Sequence, residues 1–484
     1  NFRALEPVSK KDMFLFSTVK YQLYLLQLEN YEVLRYLKLL FKKGYFFPSQ
    51  PLRNKLVLTG KASLILLIAS LFWVAGGAFL LWETSFFIAS IWLVFYFLAL
   101  PFFYSLFLLL LWPLELTVKQ YLISKAKKIV EKDKNLKVIG IAGSYGKTTM
   151  KNVLESVLSI KIKVLATPKS VNTPVGIARW IIKNQKEKPN VLIIEIGEHY
   201  RGDVEYICKI VPPDIAILTG INEAHIERLK DIGNTISTMF EVVENAKENS
   251  LVLLNADDVN IKDNYQKYTT GKNIRFYSYL NDELGDIKIK ERQFLTNELC
   301  WQFSIDEFEK IKVASLGEYI LGDVVASVIV AKNFGLSVEQ IKKGIFNIKS
   351  VEHRLQPIKG QGSVLIIDDS YNSNPDGVEE AIKVLNKFEG RRKLFITPGI
   401  VETGNDTAKI HEKIGQSLAK VADLVILVKN SATPFIAKGL KNEGFSEEKI
   451  IWFETAQKAH SSLGEILKPN DVILFQNDWG DQYV

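Results

Sequence analysis

The chain has 484 residues, 47% of them hydrophobic, which is long and apolar enough for two or three folded domains. Its 61 basic and 54 acidic residues give a net charge of +7, but no nucleic-acid recognition motif accompanies the basic excess, so we expect no nucleic-acid partner. The two cysteines, Cys208 and Cys300, lie far apart, which argues against a disulfide framework and against a cysteine metal site.

Aromatic, leucine and basic residues are mixed without proline over residues 21–43. This composition predicts one or two amphipathic helices within an interfacial region at 1–63. We expect these helices either at the cytosolic membrane interface or packed against the soluble domains. A cleavable signal peptide is not predicted, because the apolar stretches of the chain are internal and too long.

Two uncharged apolar runs follow at residues 64–82 and 86–112, and each is long enough to span a bilayer. A pair of buried core helices is the alternative interpretation. Basic residues flank the outer ends of both runs, which predicts a transmembrane hairpin over 64–112, with a kink at Pro101 and both flanks in the cytoplasm. We therefore expect a multi-pass protein of the cell (inner or plasma) membrane with membrane lipid as a partner, a linker at 113–132 and cytoplasmic catalytic domains.

A glycine-rich loop lies between the apolar run 138–142 and a segment with a helical pattern. The loop consists of Gly143, Ser144, Tyr145, Gly146, Lys147, Thr148 and Thr149. It matches the short form G-x-x-G-K-T of a phosphate-binding loop, although Ile141 stands where the longer pattern has its first glycine. Glycines let backbone amides face an anion, the lysine reaches the terminal phosphates, and Thr148 would place its hydroxyl on a magnesium ion. The loop predicts ATP and Mg²⁺ as cofactors; a glycine turn with an exposed lysine is the alternative.

Strand-like and helix-like segments alternate in the rest of the chain, which predicts an α/β fold with a mostly parallel sheet. The first domain is expected at 133–349, with strands at 191–196, 214–219 and 251–255, helices at 173–183 and 235–247, and a small antiparallel patch between 286 and 316. A boundary near Ser350 begins a second domain at 350–484, with strands at 363–367, 393–397, 424–428 and 472–475.

Further short motifs follow the phosphate loop in order, at residues 170–176, 195–197, 222–227, 255–258, 353–354 and 368–375. Together with the loop they resemble the Mur ligase family in order and spacing, and within it the MurF branch, which adds D-alanyl-D-alanine to a muramoyl tripeptide. The resemblance runs from about Leu136 to the C-terminus. It implies a central P-loop ATPase domain followed by a Rossmann-like C-terminal α/β domain.

The resemblance also implies a reaction. ATP phosphorylates a carboxylate of the acceptor, an amine donor attacks the acyl phosphate, and an amide forms as ADP and phosphate leave. The chain would be an ATP-dependent, ADP-forming ligase acting on a muropeptide-like acceptor and an amino acid or dipeptide. Soluble MurF enzymes open with a domain that grips a uridine nucleotide, and apolar spans replace it here, so we hypothesise a lipid-linked acceptor. A catalytically weak, membrane-anchored ATP-binding scaffold is the alternative.

Catalytic and metal-binding roles follow from the same resemblance. Thr148 and Glu195 would hold one magnesium ion, and His225 would help Glu195 to hold a second. Lys147, Glu195, His225 and Arg354 are then the candidate catalytic residues, with Arg354 reaching the transferred phosphate. A solvated carboxylate, a capped turn and a surface ion pair are the alternatives for Glu195, His225 and Arg354. Glu195 and His225 follow strands of one sheet, whose carboxyl ends meet at one edge, and this favours metal binding.

Nucleotide contacts are implied at other motifs. Asn172 would face the phosphates, Asp369 would lie near the ribose, and Asn372 and Asn374 would contact the nucleotide. Helix starts are the alternative for the asparagines, because Pro174 closely follows Asn172 and Pro375 closely follows Asn372 and Asn374. His411 aligns loosely with a family histidine, but we expect it at a solvated helix position.

Two positions depart from the family pattern. The magnesium-bridging carbamylated lysine of the family aligns with Met239, which cannot form a carbamate. Either the alignment slips to Lys230 or Lys247, or Glu241 substitutes, or the activity is impaired. In addition, residues 317–323 lack the asparagines that contact adenine in the family pattern G-x-H-N-x-x-N.

Overall fold

The computed structural model describes residues 14–29, 31–43, 56–83, 86–168, 171–198, 200–222, 229–371, 374–400, 403 and 406–476. The chain divides into two compact units, Asn1–Tyr121 and Leu122–Val484.

The described part of the first unit is helical. It contains α1 (Phe14–Leu28), α2 (Val33–Lys43), α3 (Gly60–Glu83) and most of α4 (Phe86–Lys132). Two helices thus lie where the sequence predicts one or two over residues 21–43. Their leucines and tyrosines form a core with α3 and α4, in which the Tyr36 hydroxyl donates to Gln22 Oε1 at 2.6 Å. The described helices of this unit therefore pack on one another.

Helices α3 and α4 contain the two apolar runs. The segments Gly60–Trp82 and Ala99–Lys132 contain 18-residue stretches with mean hydropathies of 2.5 and 1.7, and are long and apolar enough to cross a membrane. Length and composition are weak evidence for a membrane location, because core helices of soluble proteins satisfy the same criteria. Pro101 and Pro113 both lie inside α4, which continues through the residues expected to form a linker.

The second unit opens with a six-stranded parallel sheet in the order β2-β3-β1-β4-β5-β6. The strands are β1 (Lys137–Ala142), β2 (Val164–Ala166), β3 (Val191–Glu195), β4 (Ile215–Leu218), β5 (Leu251–Asn255) and β6 (Asn273–Tyr277). The helices are α5 (Lys147–Leu158), α6 (Pro174–Asn184), α7 (Asp203–Ile210), α8 (Ile232–Glu244) and α9 (Val259–Asn264). Valine, isoleucine and leucine fill the central strands, which are buried on both faces by the helices. The predicted parallel α/β sheet is confirmed.

A small antiparallel sheet follows, as the sequence predicts between residues 286 and 316. Its strands are β7 (Ile289–Leu295), β8 (Cys300–Ile305) and β9 (Phe308–Val313), and it is followed by α10 (Ile320–Asn333) and α11 (Val338–Phe346). Helix α10 packs against α5, because its apolar side chains share the core beneath one face of the parallel sheet.

A second sheet has the order β10-β11-β15-β12-β13-β14, with only β10 antiparallel to its neighbour among the described strands. The strands are β10 (Gln356–Lys359), β11 (Leu365–Asp369), β12 (Lys393–Thr397), β13 (Leu424–Val428), β14 (Ile450–Phe453) and β15 (Val472–Gln476). The helices are α12 (Pro375–Asn386), α13 (Thr407–Ala419), α14 (Thr433–Asn442) and α15 (Ala456–Ile466). The predicted strand at 363–367 starts later in the structure, because residues 361–363 form a short 3₁₀ turn in which Gly362 has a φ of 62°.

Candidate active site

The phosphate loop joins the carboxyl end of β1 to the first turn of α5. Gly143 and Gly146 have φ angles of 142° and 80°, which favour glycine. A side chain at Gly143 would also place its Cβ 2.2 Å from the Thr219 hydroxyl. The loop therefore has the backbone conformation and the helix N-terminus that a phosphate-binding loop requires.

Two hydrogen-bonded contacts fasten this loop to the segment after β4. The Tyr145 hydroxyl donates to Asp258 Oδ2 at 2.8 Å, and the same oxygen accepts from the Ile221 amide at 2.8 Å. The Ser144 amide donates to the Gly220 carbonyl at 2.7 Å. Burial, and then the charge of Asp258, raise the pKa of Tyr145, so its hydroxyl remains a donor. Ser144 and Tyr145 are thus held in place by the segments that follow β4 and β5.

Lys147 faces a carboxylate that the sequence analysis missed. Its Nζ lies 2.8 Å from Glu198 Oε1 and also donates to the Gly143 carbonyl. The side chain of Glu198 is 2% exposed. The signal in the sequence was a second glutamate directly after the motif at 195–197, where the chain leaves the carboxyl end of β3.

Glu195, the last residue of β3, contacts two side chains of α5. Its Oε1 accepts a hydrogen bond from the Thr148 hydroxyl at 3.1 Å, and its Oε2 lies 2.7 Å from the ammonium of Lys151. Thr148 and Lys151 fall on neighbouring positions of the same helix face. Lys151 is 3% exposed and was not singled out from the sequence, although it follows Lys147 by one helical turn.

These oxygens suit the predicted cofactors. Thr148 and Glu195 supply hydroxyl and carboxylate oxygens, which are the ligands that Mg²⁺ prefers, beside a loop shaped for phosphates. His225, predicted to help hold a second ion, falls at 223–228, outside the described residues. Among the residues that are described, no group of three or more His, Cys, Asp and Glu side chains could hold a metal.

Asn172 lies in the loop that approaches the end of β3. Its carbonyl accepts from the Gly197 amide at 2.9 Å, and a Cβ at Gly197 would collide with the Asn172 side chain. Thr173 caps α6 by accepting from the Gly176 amide at 3.3 Å, and Pro174 begins the helix. The structure thus confirms that this motif starts a helix and places Asn172 beside the segment that follows Glu195, while the contact of Asn172 with phosphates stays a prediction.

The second domain brings Arg354 and Asp369 together. Asp369 ends β11, is buried, and accepts a hydrogen bond from the Leu355 amide at 3.1 Å. Burial raises the pKa of Asp369 to about 6, while the Leu355 amide and the charge of Arg354 oppose that shift. The Arg354 guanidinium lies 5.3 Å from the ring centre of Tyr371.

Asn374 acts as a helix cap in the described structure. Its Oδ1 accepts from the Gly377 amide at 2.9 Å, and Pro375 follows as the first residue of α12. This contact is the one that the helix-start alternative predicts. Asn372 lies outside the described residues.

Contacts join the two sheet domains close to the phosphate loop. The Asn222 amide group donates to Asp376 Oδ2 at 2.8 Å, and the backbone amide of Asn222 donates to the Ser144 hydroxyl at 3.2 Å. A second contact runs from the Glu318 amide to Glu380 Oε1 at 3.1 Å. The start of α12 is therefore linked to the loop that carries Lys147.

Two family models match this part of the chain. The Mur ligase middle domain matches residues 141–331, and the Mur ligase glutamate ligase domain matches residues 353–476. The chain belongs to the Mur ligase family. Similar proteins include the UDP-N-acetylmuramoyl-tripeptide–D-alanyl-D-alanine ligase of Bacillus subtilis, which is 24% identical over 71% of this chain and 73% of its own length. The ligase of the same name from Haemophilus influenzae is 26% identical over 65% and 68%.

Solved structures agree with this membership. MurF ligase from Thermotoga maritima in complex with ADP superposes with a TM-score of 0.65 and 26% identity over 74% of this chain and 80% of that one. MurF from Acinetobacter baumannii gives 0.65 and 25% over 74% and 77%. Mur ligases use ATP and Mg²⁺, and the MurF homologues are ADP-forming ligases, so both the predicted reaction class and the predicted cofactors are confirmed.

The predicted location is wrong. We expected a multi-pass protein of the cell membrane, but the MurF homologues are soluble cytoplasmic enzymes. The prediction rested on the length of the two uncharged apolar runs. Helices α3 and α4 meet the criteria of length and composition for a membrane span, but these criteria do not establish one. The comparisons likewise give no support to a lipid-linked acceptor, a membrane lipid partner or the scaffold alternative.

The residue that the sequence analysis aligns with the family's carbamylated lysine is apolar. Met239 is fully buried on the face of α8 that packs into the hydrophobic core. The carboxylate of Glu241 accepts from the amides of Gly202 and Glu205 at 3.0 and 2.9 Å, so it caps α7. Lys247 pairs at 2.8 Å with Asp214, at the edge of the sheet opposite to the phosphate loop. Neither Glu241 nor Lys247 is therefore placed to substitute.

Asp323 stands in the segment that departs from the family's adenine-contacting pattern. It is buried in the first turn of α10, and its Oδ2 has no hydrogen-bond partner among the described residues. Burial raises the pKa of Asp323 well above its ordinary value. The carboxyl group is consequently held in a site that favours its neutral form.

Replacing Asp323 with asparagine is expected to stabilise this Mur ligase at neutral pH. The folded pKa of Asp323 is raised, so its contribution to stability is present in acid and is lost as the pH rises. We expect Asp323→Asn to raise the free energy of unfolding by about 1–3 kcal/mol at pH 7, with a smaller gain near pH 4, measured by urea unfolding. Asp306→Asn, at a partly exposed surface carboxylate, is the control; equal gains in both variants would contradict the prediction.

His411 is not solvated, contrary to the sequence prediction. It is fully buried on α13, where its Nε2 accepts from the Ile400 amide at 2.9 Å and its Nδ1 donates to the Thr407 carbonyl at 2.7 Å. Burial lowers the pKa of His411, with the two backbone contacts opposing that shift. It is therefore a neutral structural histidine that connects α13 to the loop after β12.

The C-terminal domain is expected to lose stability in mild acid because of His411. The folded pKa of His411 is lowered, so its stabilising effect is present above the unfolded pKa and is lost as the pH falls. Thermal unfolding of the wild type should show this loss between about pH 7 and pH 5. His411→Gln should be less stable at pH 7 and should lack that part of the pH dependence; an unchanged pH profile in the variant would be the contrary result.

Proposed function

We propose that this chain joins D-alanyl-D-alanine to the free carboxylate of a UDP-linked muramoyl tripeptide. The relatives that carry this activity in their names align with 71% and 65% of this chain, and both family models fall within the second unit, Leu122–Val484. The observation that carries the proposal is the contact between the Thr148 hydroxyl and Glu195, 3.1 Å apart, directly behind the phosphate loop. We also propose the domain limits 133–349 and 350–484 for the two catalytic domains.

Each residue near the loop has a proposed task. When bound, ATP with Mg²⁺ activates the acceptor carboxylate by phosphorylation. Lys147 and the loop amides of 143–149 offset the negative charge that spreads over the phosphates during transfer. Thr148 and Glu195 hold the metal with their oxygens. The buried ammonium of Lys151 fixes Glu195 from its other side, so that one carboxylate oxygen remains directed at Thr148.

The remaining assignments concern residues farther along the chain. Asn172 and Arg354 are proposed to contact the phosphates, and Asp369 the ribose. His225 is proposed as a metal ligand, and Asn372 and Asn374 as nucleotide contacts. Asn374 is the weakest of these assignments, because its oxygen already caps α12. Exclusion of water by the second domain would protect the acyl phosphate from hydrolysis.

The proposal is tested with purified full-length chain, ATP, Mg²⁺ and UDP-muramoyl tripeptide, with D-alanyl-D-alanine as the amine. We expect ADP release and a product whose mass equals the two substrates minus water. D-alanine and L-alanine serve as alternative amines, and a reaction without amine gives the background. ADP release with the single amino acids but not with the dipeptide would reject the proposed amine, while no ADP release in any mixture would reject the ligase activity.

A further inference from the structure

A buried carboxylate beside the phosphate loop has an oxygen that the described contacts leave unused. Glu198 is 2% exposed, and its Oε1 lies 2.8 Å from Lys147 Nζ. Its Oε2 is also buried and has no hydrogen-bond partner among the residues that the structure describes. A buried ionised carboxylate needs partners for both oxygens, because burial removes the water that would otherwise solvate it.

Two lysines and two glutamates at this end of the sheet form two ion pairs. Lys151 lies 2.7 Å from Glu195, and Lys147 lies 2.8 Å from Glu198. The two carboxylates leave the same strand end, three positions apart in the sequence, and the two ammonium groups come from consecutive turns of α5. No cation of either pair is spare for the several negative charges that a nucleoside triphosphate adds.

Nucleotide binding changes this balance. Lys147 is the loop lysine, and it must turn its charge toward the phosphates when they occupy the loop. Glu198 would then share its counter-ion with a polyanion and would face negative charge while still buried. Leaving a buried charge without its partner is strongly unfavourable, so a cation that took the place of Lys147 beside Glu198 would stabilise the nucleotide-bound state.

We propose that Glu198 is a ligand for a divalent cation that enters with the nucleotide, with its Oε2 as the coordinating atom. A carboxylate oxygen is the ligand that a hard cation such as Mg²⁺ prefers, and the cation would bridge Glu198 to a phosphate oxygen. Neither Met239, which is buried in the core, nor Glu241, which caps α7, supplies an oxygen for this purpose. The inference rests on the proposed function only in that a nucleotide occupies this loop.

The test measures metal binding without turnover. Mn²⁺ is titrated by electron paramagnetic resonance into the purified full-length chain saturated with adenylyl imidodiphosphate, with no acceptor or amine present. We expect Glu198→Gln to weaken Mn²⁺ binding by about tenfold or more, because it removes a charged oxygen ligand. Glu198→Asp, which keeps the carboxylate, should lose less. Glu205→Gln removes an exposed carboxylate paired with Lys209 and should bind Mn²⁺ like the wild type.

Equal Mn²⁺ binding by the wild type and by a folded Glu198→Gln chain, with folding checked by circular dichroism, would overturn the inference. Unchanged Mn²⁺ binding together with tighter analogue binding in EDTA would also overturn it, since Glu198 would then only compete with phosphates for Lys147. A wild-type chain that binds no analogue would reject the nucleotide site and with it the proposed function. Failure of D-alanyl-D-alanine as a substrate would leave the metal measurement unaffected.

Discussion

Lys147→Ala is expected to lower the rate of ADP release by about a hundredfold or more, because the variant loses a cation positioned for the charge of the transferred phosphate. Lys147 lies 2.8 Å from Glu198 and donates to the Gly143 carbonyl, so its ammonium is already held inside the loop. The measurement is a coupled assay of ADP formation with saturating acceptor and amine. The loss should appear in kcat as well as in the KM for ATP.

Lys161→Ala is the matched control for this experiment. Lys161 lies just beyond α5 and donates from an exposed position to the Gly335 carbonyl at 2.7 Å, so its removal changes the net charge by the same amount away from the loop. ADP release by this variant should equal that of the wild type. A Lys147→Ala chain that retained normal turnover would show that the loop does not hold the reacting phosphates.

Lys151→Ala is expected to lower the free energy of unfolding by about 3–5 kcal/mol, because it leaves the buried carboxylate of Glu195 without its cation. The Lys151 side chain is 3% exposed and that of Glu195 is 10% exposed, so water cannot readily replace the lost partner. Equilibrium urea unfolding followed by far-ultraviolet circular dichroism measures the change. Metal affinity should fall as well, since Glu195 loses the contact that fixes its orientation.

The double variant Lys151→Met, Glu195→Gln separates the cost of an unpaired buried carboxylate from the loss of the ion pair itself. Removing both charges should recover much of the stability, because no unpaired ion remains in the interior. Lys209→Ala breaks an exposed pair with Glu205 on α7 and should change the stability by less than about 1 kcal/mol. A Lys151→Ala loss no larger than that of the control would mean that the pair is solvated.

The sequence predicted the buried strands and the phosphate loop, because their signals lie in short stretches of consecutive residues. The strand ending at Asn255 and the loop from Gly143 to Thr149 were found because buried parallel strands are continuously apolar and because a phosphate loop has fixed glycine and lysine positions. The strands Val164–Ala166 and Asn273–Tyr277 were not predicted. Both are edge strands, one very short and one with exposed polar side chains, so neither has a strong periodic signal.

Side-chain partners across the sheet could not be predicted from local pattern. Lys151 and Glu195 are separated by a strand and a helix in the sequence, and they meet only because α5 packs beside the strand that Glu195 ends. His411 was misjudged for the same reason: its helix is polar enough to suggest a solvated position, whereas its Nε2 accepts from Ile400 in another loop. Burial of this kind depends on tertiary packing rather than on helical periodicity.

Asn222 contacts both the phosphate loop and the second sheet domain. Its backbone amide holds the hydroxyl of Ser144 in the phosphate loop, while its side chain holds Asp376 at the start of α12. One of these contacts comes from the backbone and the other from the side chain. Asn222→Ala would therefore remove the link to Asp376 and keep the link to Ser144.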